Sequence, residues 1–312
     1  MTGFTTSDAA FAEILRIAER AAKASSSILV LGETGTGKNR MARFLHERSG
    51  RASGPFVELA CANIPQELVE TELFGHEEGA FTDAKSTRQG RLEQAHRGTI
   101  FLDEIQEFDV SAQAKLLRAI EERRFERVGG RTTLEIDVRI VASSGESPAR
   151  LVSSGRLRED LLYRLDVIRL EMPPLRARSA DVRVLASAFL EEIARAHALP
   201  ERRFTGAALE RLEAYPWPGN VRELRHAVER AAVLASGPEI GPSDLPEALS
   251  LGAPALLRDA ASAGATLADV ERAYIREVLE RTRGNKSAAA RILGIHRKTL
   301  YEKLRAQGSG EP

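Results

Sequence analysis

The stretch Ile28-Leu29-Val30-Leu31-Gly32-Glu33-Thr34-Gly35-Thr36-Gly37-Lys38 decides the fold. Four apolar residues ending at a glycine have the form of a buried parallel strand. The glycines of Gly32–Lys38 let the backbone curl so that several N–H groups face phosphate oxygens. The helix that follows adds its N-terminal dipole, and Lys38 neutralises β- and γ-phosphates. A chance glycine-rich turn is the bland alternative, and the strand, helix and lysine together argue against it. The expected cofactor is ATP, with Gly32, Glu33, Thr34, Gly35, Thr36, Gly37, Lys38 and Asn39 around its phosphates.

Asn39 stands where most P-loop sites carry Ser or Thr, so Mg2+ would lack the usual hydroxyl ligand. Thr99-Ile100-Phe101-Leu102-Asp103-Glu104 supplies a compensating site. It is an apolar strand delivering two carboxylates at its C-terminal end, where parallel sheets bind ligands. Asp103 is expected to hold the magnesium shell and Glu104 to polarise the attacking water. An Asp-Glu pair says little alone; about 65 residues beyond a P-loop it is specific.

Phe56–Leu59, Thr99–Leu102, Val138–Ala142 and Val167–Leu170 repeat the apolar-run signature. Between them lie helical stretches at Arg40–Arg48, Gln66–Leu73, Ala112–Glu122 and Arg158–Leu165, with another at Asp8–Ala24. The alternation predicts an α/β fold, a parallel sheet covered on both faces, over residues 1–173. After Pro173-Pro174 the pattern is helical only, giving an all-α lid over 174–236. Residues 237–264 are rich in Pro, Gly, Ala and Ser and read as a linker. Thr266, with Asp269 three residues on, opens a small all-α domain over 265–312.

The 312 residues suffice for two domains or slightly more. Lys+Arg and Asp+Glu balance at 45 each, so net charge alone indicates no nucleic-acid partner. Arg281–Arg305 nevertheless holds eight Lys/Arg against one acid, Glu302. Such a block is a footprint for phosphate backbones once a motif supports it. Cys61 is the one cysteine, so no intrachain disulfide forms, and its apolar setting reads as a small buried side chain. With neither a signal peptide nor an apolar run of membrane length, a soluble cytoplasmic protein is expected.

At this point the chain resembles one family, the AAA+ activators of sigma-54 RNA polymerase, also called bacterial enhancer-binding proteins. The likeness runs from about Gly3 to Gly308. It rests on Gly32–Lys38, Glu72-Leu73-Phe74-Gly75-His76-Glu77, Gly79–Ala84, Gly98–Ile105, Arg158-Glu159-Asp160-Leu161, Tyr163-Arg164-Leu165 and Trp217-Pro218-Gly219-Asn220-Val221-Arg222-Glu223-Leu224. The resemblance implies that Arg158 and Arg164 are arginine fingers reaching a neighbouring subunit's γ-phosphate in a ring, normally a hexamer. It makes Arg222 a lid residue touching nucleotide in its own subunit, and Trp217 a structural anchor. Without the motif, both fingers would read as surface arginines in salt bridges.

Gly79-Ala80-Phe81-Thr82-Asp83-Ala84 is similar to the family's loop for gripping sigma-54, with Asp83 in place of a glycine. Small residues flank Phe81, which favours a mobile, solvent-facing loop. Ala60 stands where the family usually has an asparagine that relays the state of the γ-phosphate. Ser144-Gly145 replace the usual Thr-Asn of the first sensor: Ser144 keeps a hydroxyl and Gly145 keeps no side chain. These differences fall on the coupling of hydrolysis to loop movement rather than on nucleotide binding.

In the C-terminal domain, Leu267, Val270, Ala273, Tyr274 and Leu279 are expected to form the packing stripe of a first helix. A second helix, the Gly294 turn and a basic third helix give helix-turn-helix order. Gly284–Ile295 and Thr299–Leu304 resemble the Fis-type domain. Ala289, Ala290, Leu293, Ile295, Leu300 and Leu304 are expected to hold the helices together. Arg297, Lys298 and Thr299 lie at the end of the recognition helix that enters the major groove, and Lys286, Lys303 and Arg305 suit phosphate contacts.

The reading is an ATPase that binds upstream double-stranded DNA, assembles a ring and remodels the sigma-54 polymerase closed complex. A divergent regulator that binds ATP and DNA independently of sigma-54, or as a repressor, is the alternative. A general AAA+ remodeller with a basic tail is a third. With no receiver or sensing domain ahead of the ATPase, control is expected from a separate protein, from expression level or from ring assembly, unless the sequence is a fragment.

Overall fold

The phosphate loop and the acidic pair reach the same edge of one sheet because of the order in which its strands pair. The computed structural model describes residues 3–81, 84, 86–246, 249, 266–282 and 285–308. In chain order the elements begin α1 Ala9–Ala22, β1 Ile28–Leu31, α2 Lys38–Glu47, β2 Phe56–Ala60, α3 Gln66–Phe74, β3 Gly75–His76, β4 Arg88–Gln89, α4 Arg91–Gln94 and β5 Thr99–Asp103. They continue α5 Val110–Glu122, β6 Arg124–Glu126, β7 Thr133–Glu135, β8 Arg139–Ser144, α6 Pro148–Ser153, α7 Glu159–Leu165, β9 Ile168–Glu171 and α8 Ala180–Ala196. Then follow α9 Gly206–Ala214, α10 Asn220–Leu234, α11 Leu267–Arg281, α12 Lys286–Ile292 and α13 Arg297–Gly308.

The central sheet is parallel with order β2-β5-β8-β1-β9. Successive side chains along a strand point to opposite faces. Ile28, Val30, Phe101, Val141 and Leu170 therefore pack with Phe11 of α1 and Met41 and Leu45 of α2. Leu29, Leu31, Ile100, Leu102 and Ala142 pack on the other face with Leu73, Leu116 and Leu161 of α3, α5 and α7. Both faces are apolar, so these strands read as continuous runs. Because β8 lies between β5 and β1, their C-terminal ends set Asp103, Ser143–Gly145 and Gly32 side by side.

The expected strands and helices are present with ends moved by a residue or two. The short antiparallel pairs β3/β4 and β6/β7 were not expected, and two-residue strands at Arg203–Phe204 and Glu239–Ile240 correct the expectation of an all-α lid and an unstructured linker. Each strand spans only two or three mostly polar residues, too few to show alternation. Cys61 is buried as expected, and burial pushes its thiol well above the ordinary range, which suits an inert packing role.

The described residues divide into two compact units, 1–204 with 217–239 and 205–216 with 240–312. In the first, α8 and α10 pack together and fasten to the phosphate loop. The N–H groups of Val221 and Arg222, at the start of α10, donate to the Gly35 carbonyl at 3.0 and 3.4 Å. Asn220 is fully buried with left-handed backbone (φ 53°). Its Oδ1 accepts from the Leu175 N–H at 2.8 Å, and its Nδ2 donates to the Thr34 carbonyl at 3.0 Å and to Glu33 at 3.2 Å. Trp217 is buried beside this turn, an anchor as expected. Below it Arg178 donates to the Thr36 carbonyl and pairs with buried Asp181.

In the second unit Thr266 and Asp269 form a reciprocal cap on α11. The Thr266 N–H and hydroxyl donate to Asp269, and the Asp269 N–H donates to Thr266 Oγ1. Those bonds from Thr266 hold the Asp269 carboxyl down to about 2. Ile275, Val278, Ala289, Ala290 and Leu300 form the core, with Leu279, Leu293, Ile295 and Leu304 against it. The expected α11 stripe needs correction: Leu267 and Tyr274 are exposed, 87% and 39%. The helix carries two apolar rows about a quarter turn apart at 100° per residue, and the row through Ile275 and Val278 faces the core. Among the described residues, no helix is long and apolar enough to cross a membrane.

Asn220→Ala removes three hydrogen bonds at a buried left-handed residue. It is expected to destabilise the first unit by about 2–3 kcal/mol, measured by urea unfolding followed through the fluorescence of Trp217, the single tryptophan.

Candidate functional site

At the strand ends lies a cavity of about 920 Å3 lined by Thr34, Gly35, Gly37, Lys38, Asn39, Ala60, Asp103, Glu104, Gln106, Gly145 and Arg222, among others. The residues named from separate motifs thus share one space. Gly35 (φ 83°) and Gly37 (φ 103°) curl the loop, and Gly37 leaves the first turn of α2 with no side-chain cap. Free N–H groups at a helix start suit an anion. Glu33, by contrast, turns from the cavity to the lid: it forms an ion pair with Arg176, whose hydrogen bonds hold its carboxyl below the usual range. Thr36 is buried, its hydroxyl on the Glu33 carbonyl.

Lys38 is 5% exposed, and its Nζ lies 2.8 Å from the Gly32 carbonyl and 2.9 Å from Glu104 Oε1. Glu104 adopts left-handed backbone (φ 58°), which swings its carboxylate across the cavity. Gln106 Nε2 donates to Glu104 Oε2 at 2.7 Å, and the Gly145 N–H donates to the same oxygen at 2.8 Å. Burial pushes the Glu104 carboxyl up, but the bonds from Gln106 and Lys38, the Lys38 charge and the Gly145 N–H outweigh it and hold the group below the usual range. Asp103 accepts from Ser143 Oγ at 2.5 Å, and that hydroxyl in turn accepts from the Glu104 N–H.

Several expectations are corrected here. Gly145 contributes after all, through its backbone N–H, and a Cβ there would stand 3.3 Å from the Glu104 carboxylate. Ser144 is buried with its hydroxyl on Glu146, so Ser143 is the serine that serves the acidic pair. Asn39 lines the cavity while its amide donates to Glu58 at 2.5 Å on the adjacent strand. Gln106 and Ser143 were missed by sequence reading. Their signals were present, a polar residue within two positions of Glu104 and a serine ending an apolar strand, but only the β5-β8 pairing gives them meaning.

Arg158 precedes α7 without capping it and pairs with Asp160 at 2.7 Å; Arg164 sits in the last turn of α7 beside a separate cavity with Arg51 and Asp137. Neither lines the phosphate cavity of its own chain. The loop from Gly79 springs from β3. Its Gly79 N–H donates to the Ala84 carbonyl, and Phe81 is 40% exposed. Phe81 has one ring partner not anticipated, His76, with centroids 5.0 Å apart. Thr82 and Asp83 lie outside the described residues. At the loop's base, Val128 bonds to Gly75 and Glu77, and Arg127 spans Glu77 and Glu93 at 2.8 and 2.9 Å.

In the second unit, Lys286 and Arg297 both lie over the Tyr301 ring, at 4.8 and 5.6 Å from its centroid. Lys303 pairs with Glu271 of α11 at 2.6 Å. Both groups are partly exposed, so the pair adds little to stability. Thr299 is half-buried near the start of α13. The side chains of Lys298 and Arg305 lie outside the described residues.

Known proteins resemble the chain in three successive stretches. Residues 4–171 match the model of the Sigma-54 interaction domain, 176–261 that of the AAA+ ATPase lid domain, and 266–306 that of the Fis family of bacterial regulatory proteins. The transcriptional regulatory protein FlbD of Caulobacter vibrioides is 46% identical over 313 residues, covering 96% of this chain and 69% of FlbD. The regulatory protein AtoC of Escherichia coli is 42% identical over 316 residues, covering 97% and 67%. The structure of NtrX from Brucella abortus in complex with ATP superposes with TM-score 0.76 at 33% identity, covering 98% of this chain and 70% of NtrX.

The Glu104 clamp sets a pH dependence. Its stabilisation is complete above the ordinary carboxylate value of 4.5 and is lost as pH falls through the lower folded value. Glu104→Gln is expected to remove that share of the acid sensitivity, read as melting temperature of the nucleotide-free protein between about pH 3 and pH 7.

Proposed function

Because the chain belongs to the sigma-54-dependent transcriptional regulators that join a Sigma-54 interaction domain and AAA+ lid to a Fis-type DNA-binding helix-turn-helix, we propose that it binds ATP with Mg2+ and hydrolyses it within a ring of identical subunits. The cycle remodels a closed sigma-54 polymerase complex near its DNA site. The observation that carries this reading is the convergence of the phosphate loop, the acidic pair and Arg222 on one cavity. The binding of ATP by NtrX supports it.

In that cavity Lys38 and the N–H groups opening α2 hold the phosphates, and Arg222 approaches from the lid. Mg2+ would rest on Asp103 together with phosphate oxygens, where it supplies positive charge against the phosphates. Among the described residues no group of three or more His, Cys, Asp or Glu is placed to hold a metal ion without such help. Glu104, kept ionised by its clamp, takes a proton from the attacking water. Arg158 and Arg164, clear of their own cavity, are assigned to the γ-phosphate of the adjacent subunit. Phe81 and its loop, Gly79 to Ala84, are assigned to sigma-54. Arg297, Lys298 and Thr299 are assigned to the major groove, and Lys286, Lys303 and Arg305 to phosphates.

Turnover per subunit should rise with protein concentration as subunits assemble, and Glu104→Gln should lower it by about 10²–10³-fold. Phe81→Ala should keep ATP turnover and lose promoter opening by the sigma-54 polymerase; a variant that still opened the promoter would sink the loop's role.

Arg297→Ala should weaken binding to the DNA site by about 1–3 kcal/mol and relax its sequence preference. Lys286→Ala should weaken all DNA alike and flatten the salt dependence by about one ion, both followed by fluorescence anisotropy.

A further inference from the structure

Glu104 is held from three sides, and one of its holders has a second end in use by no protein group. Gln106 sits in the short 3-10 turn Ile105–Glu107, and the left-handed backbone of Glu104 folds that turn back so that the amide meets the carboxylate at 2.7 Å. A carboxylate only accepts hydrogen bonds, so the NH2 of Gln106 must face it and Oε1 must point elsewhere. Oε1 is buried with no hydrogen-bond partner in the protein, although the residue is 8% exposed and lines the cavity. A buried acceptor is costly to leave unpaired, so the turn holds the amide on Glu104 against that cost. The neighbouring positions do not supply that amide's role. Ala60, beside Asp103 on β2, carries no polar side chain, and the Ser144 hydroxyl is taken by Glu146.

We propose that Gln106 is a positioning residue for hydrolysis: its Nε2 aims the Glu104 carboxylate at the attacking water. This rests on the ATPase reading given above. One proton of that water passes to Glu104 and the other stays on the water oxygen. The water oxygen bonds to the γ-phosphorus as the bond to the β–γ bridging oxygen breaks, and ADP leaves with that electron pair. When the phosphates draw Lys38 away, Gln106 and the Gly145 N–H are the holders that remain on Glu104.

The test uses the whole chain as wild type, Glu104→Gln, Gln106→Ala and the double variant. Gln106→Ala is expected to lower kcat by about 10- to 100-fold. KM for ATP, the Kd of a fluorescent ADP analogue and Tm should stay within about twofold or about two degrees of wild type. In the Glu104→Gln background the same change should alter turnover by less than about threefold, as for groups acting as one unit. Unchanged kcat, an equal loss in both backgrounds, or ADP affinity and Tm falling in step with kcat would each overturn the assignment. Equal turnover in wild type and Glu104→Gln would instead remove the hydrolysis reading beneath it.

Discussion

A buried ammonium must have partners, and Lys38 finds them in two separate parts of the chain. One is the carbonyl of Gly32, which closes the phosphate loop on itself; the other is Glu104, which ties the loop to the end of β5. This contact requires β1 and β5 to end at the same level with β8 between them, which is what the parallel register provides. The same register brings Ser143 to Asp103 and the Gly145 N–H to Glu104, so the anionic side of the site is buttressed from the middle strand. The loop, the acidic pair and the middle strand end form one bonded cluster, with the lid fastened to it through Asn220 and Arg178.

Much of this was legible in the sequence because the decisive residues are contiguous. Gly32–Lys38 and Thr99–Glu104 each carry strand, turn and chemistry in a single run, and the doubly covered parallel sheet follows from apolar runs between helical stretches. The helix-turn-helix core was legible for the same reason. What escaped reading depends on tertiary placement. Gln106 and Ser143 have no motif of their own; their roles follow from a left-handed turn and a strand pairing. Gly145 looked empty because only its side chain was considered, and its contribution is a backbone N–H. On α11 two apolar rows compete, and the sequence does not say which one the neighbouring helices cover.

The exposed loop between β3 and β4 stands on a base made largely of charge. Arg127, 17% exposed at its side chain, joins carboxylates from either side, and a backbone bridge between His76 and Val128 runs beside it. The guanidinium meets both carboxylates through a planar set of donors, which fixes the geometry of the base. In the DNA-binding unit a single ring, Tyr301, lies against two cations, Lys286 of α12 and Arg297 of α13.

The meeting of Gly35 with the turn before α10 has a genetic consequence. A Cβ on Gly35 would stand 2.3 Å from the Gly219 carbonyl oxygen, and the residue's φ of 83° is strained for any side chain. The obstacle is main chain, which no substitution can trim. A lesion at Gly35 therefore has no compensating partner among neighbouring side chains. Suppressors, if selected, would have to arise where the lid as a whole is set, among the residues that fix its angle, and they would shift nucleotide binding along with it. The position should drift less than the residues around it, and its history should be read as that of the lid.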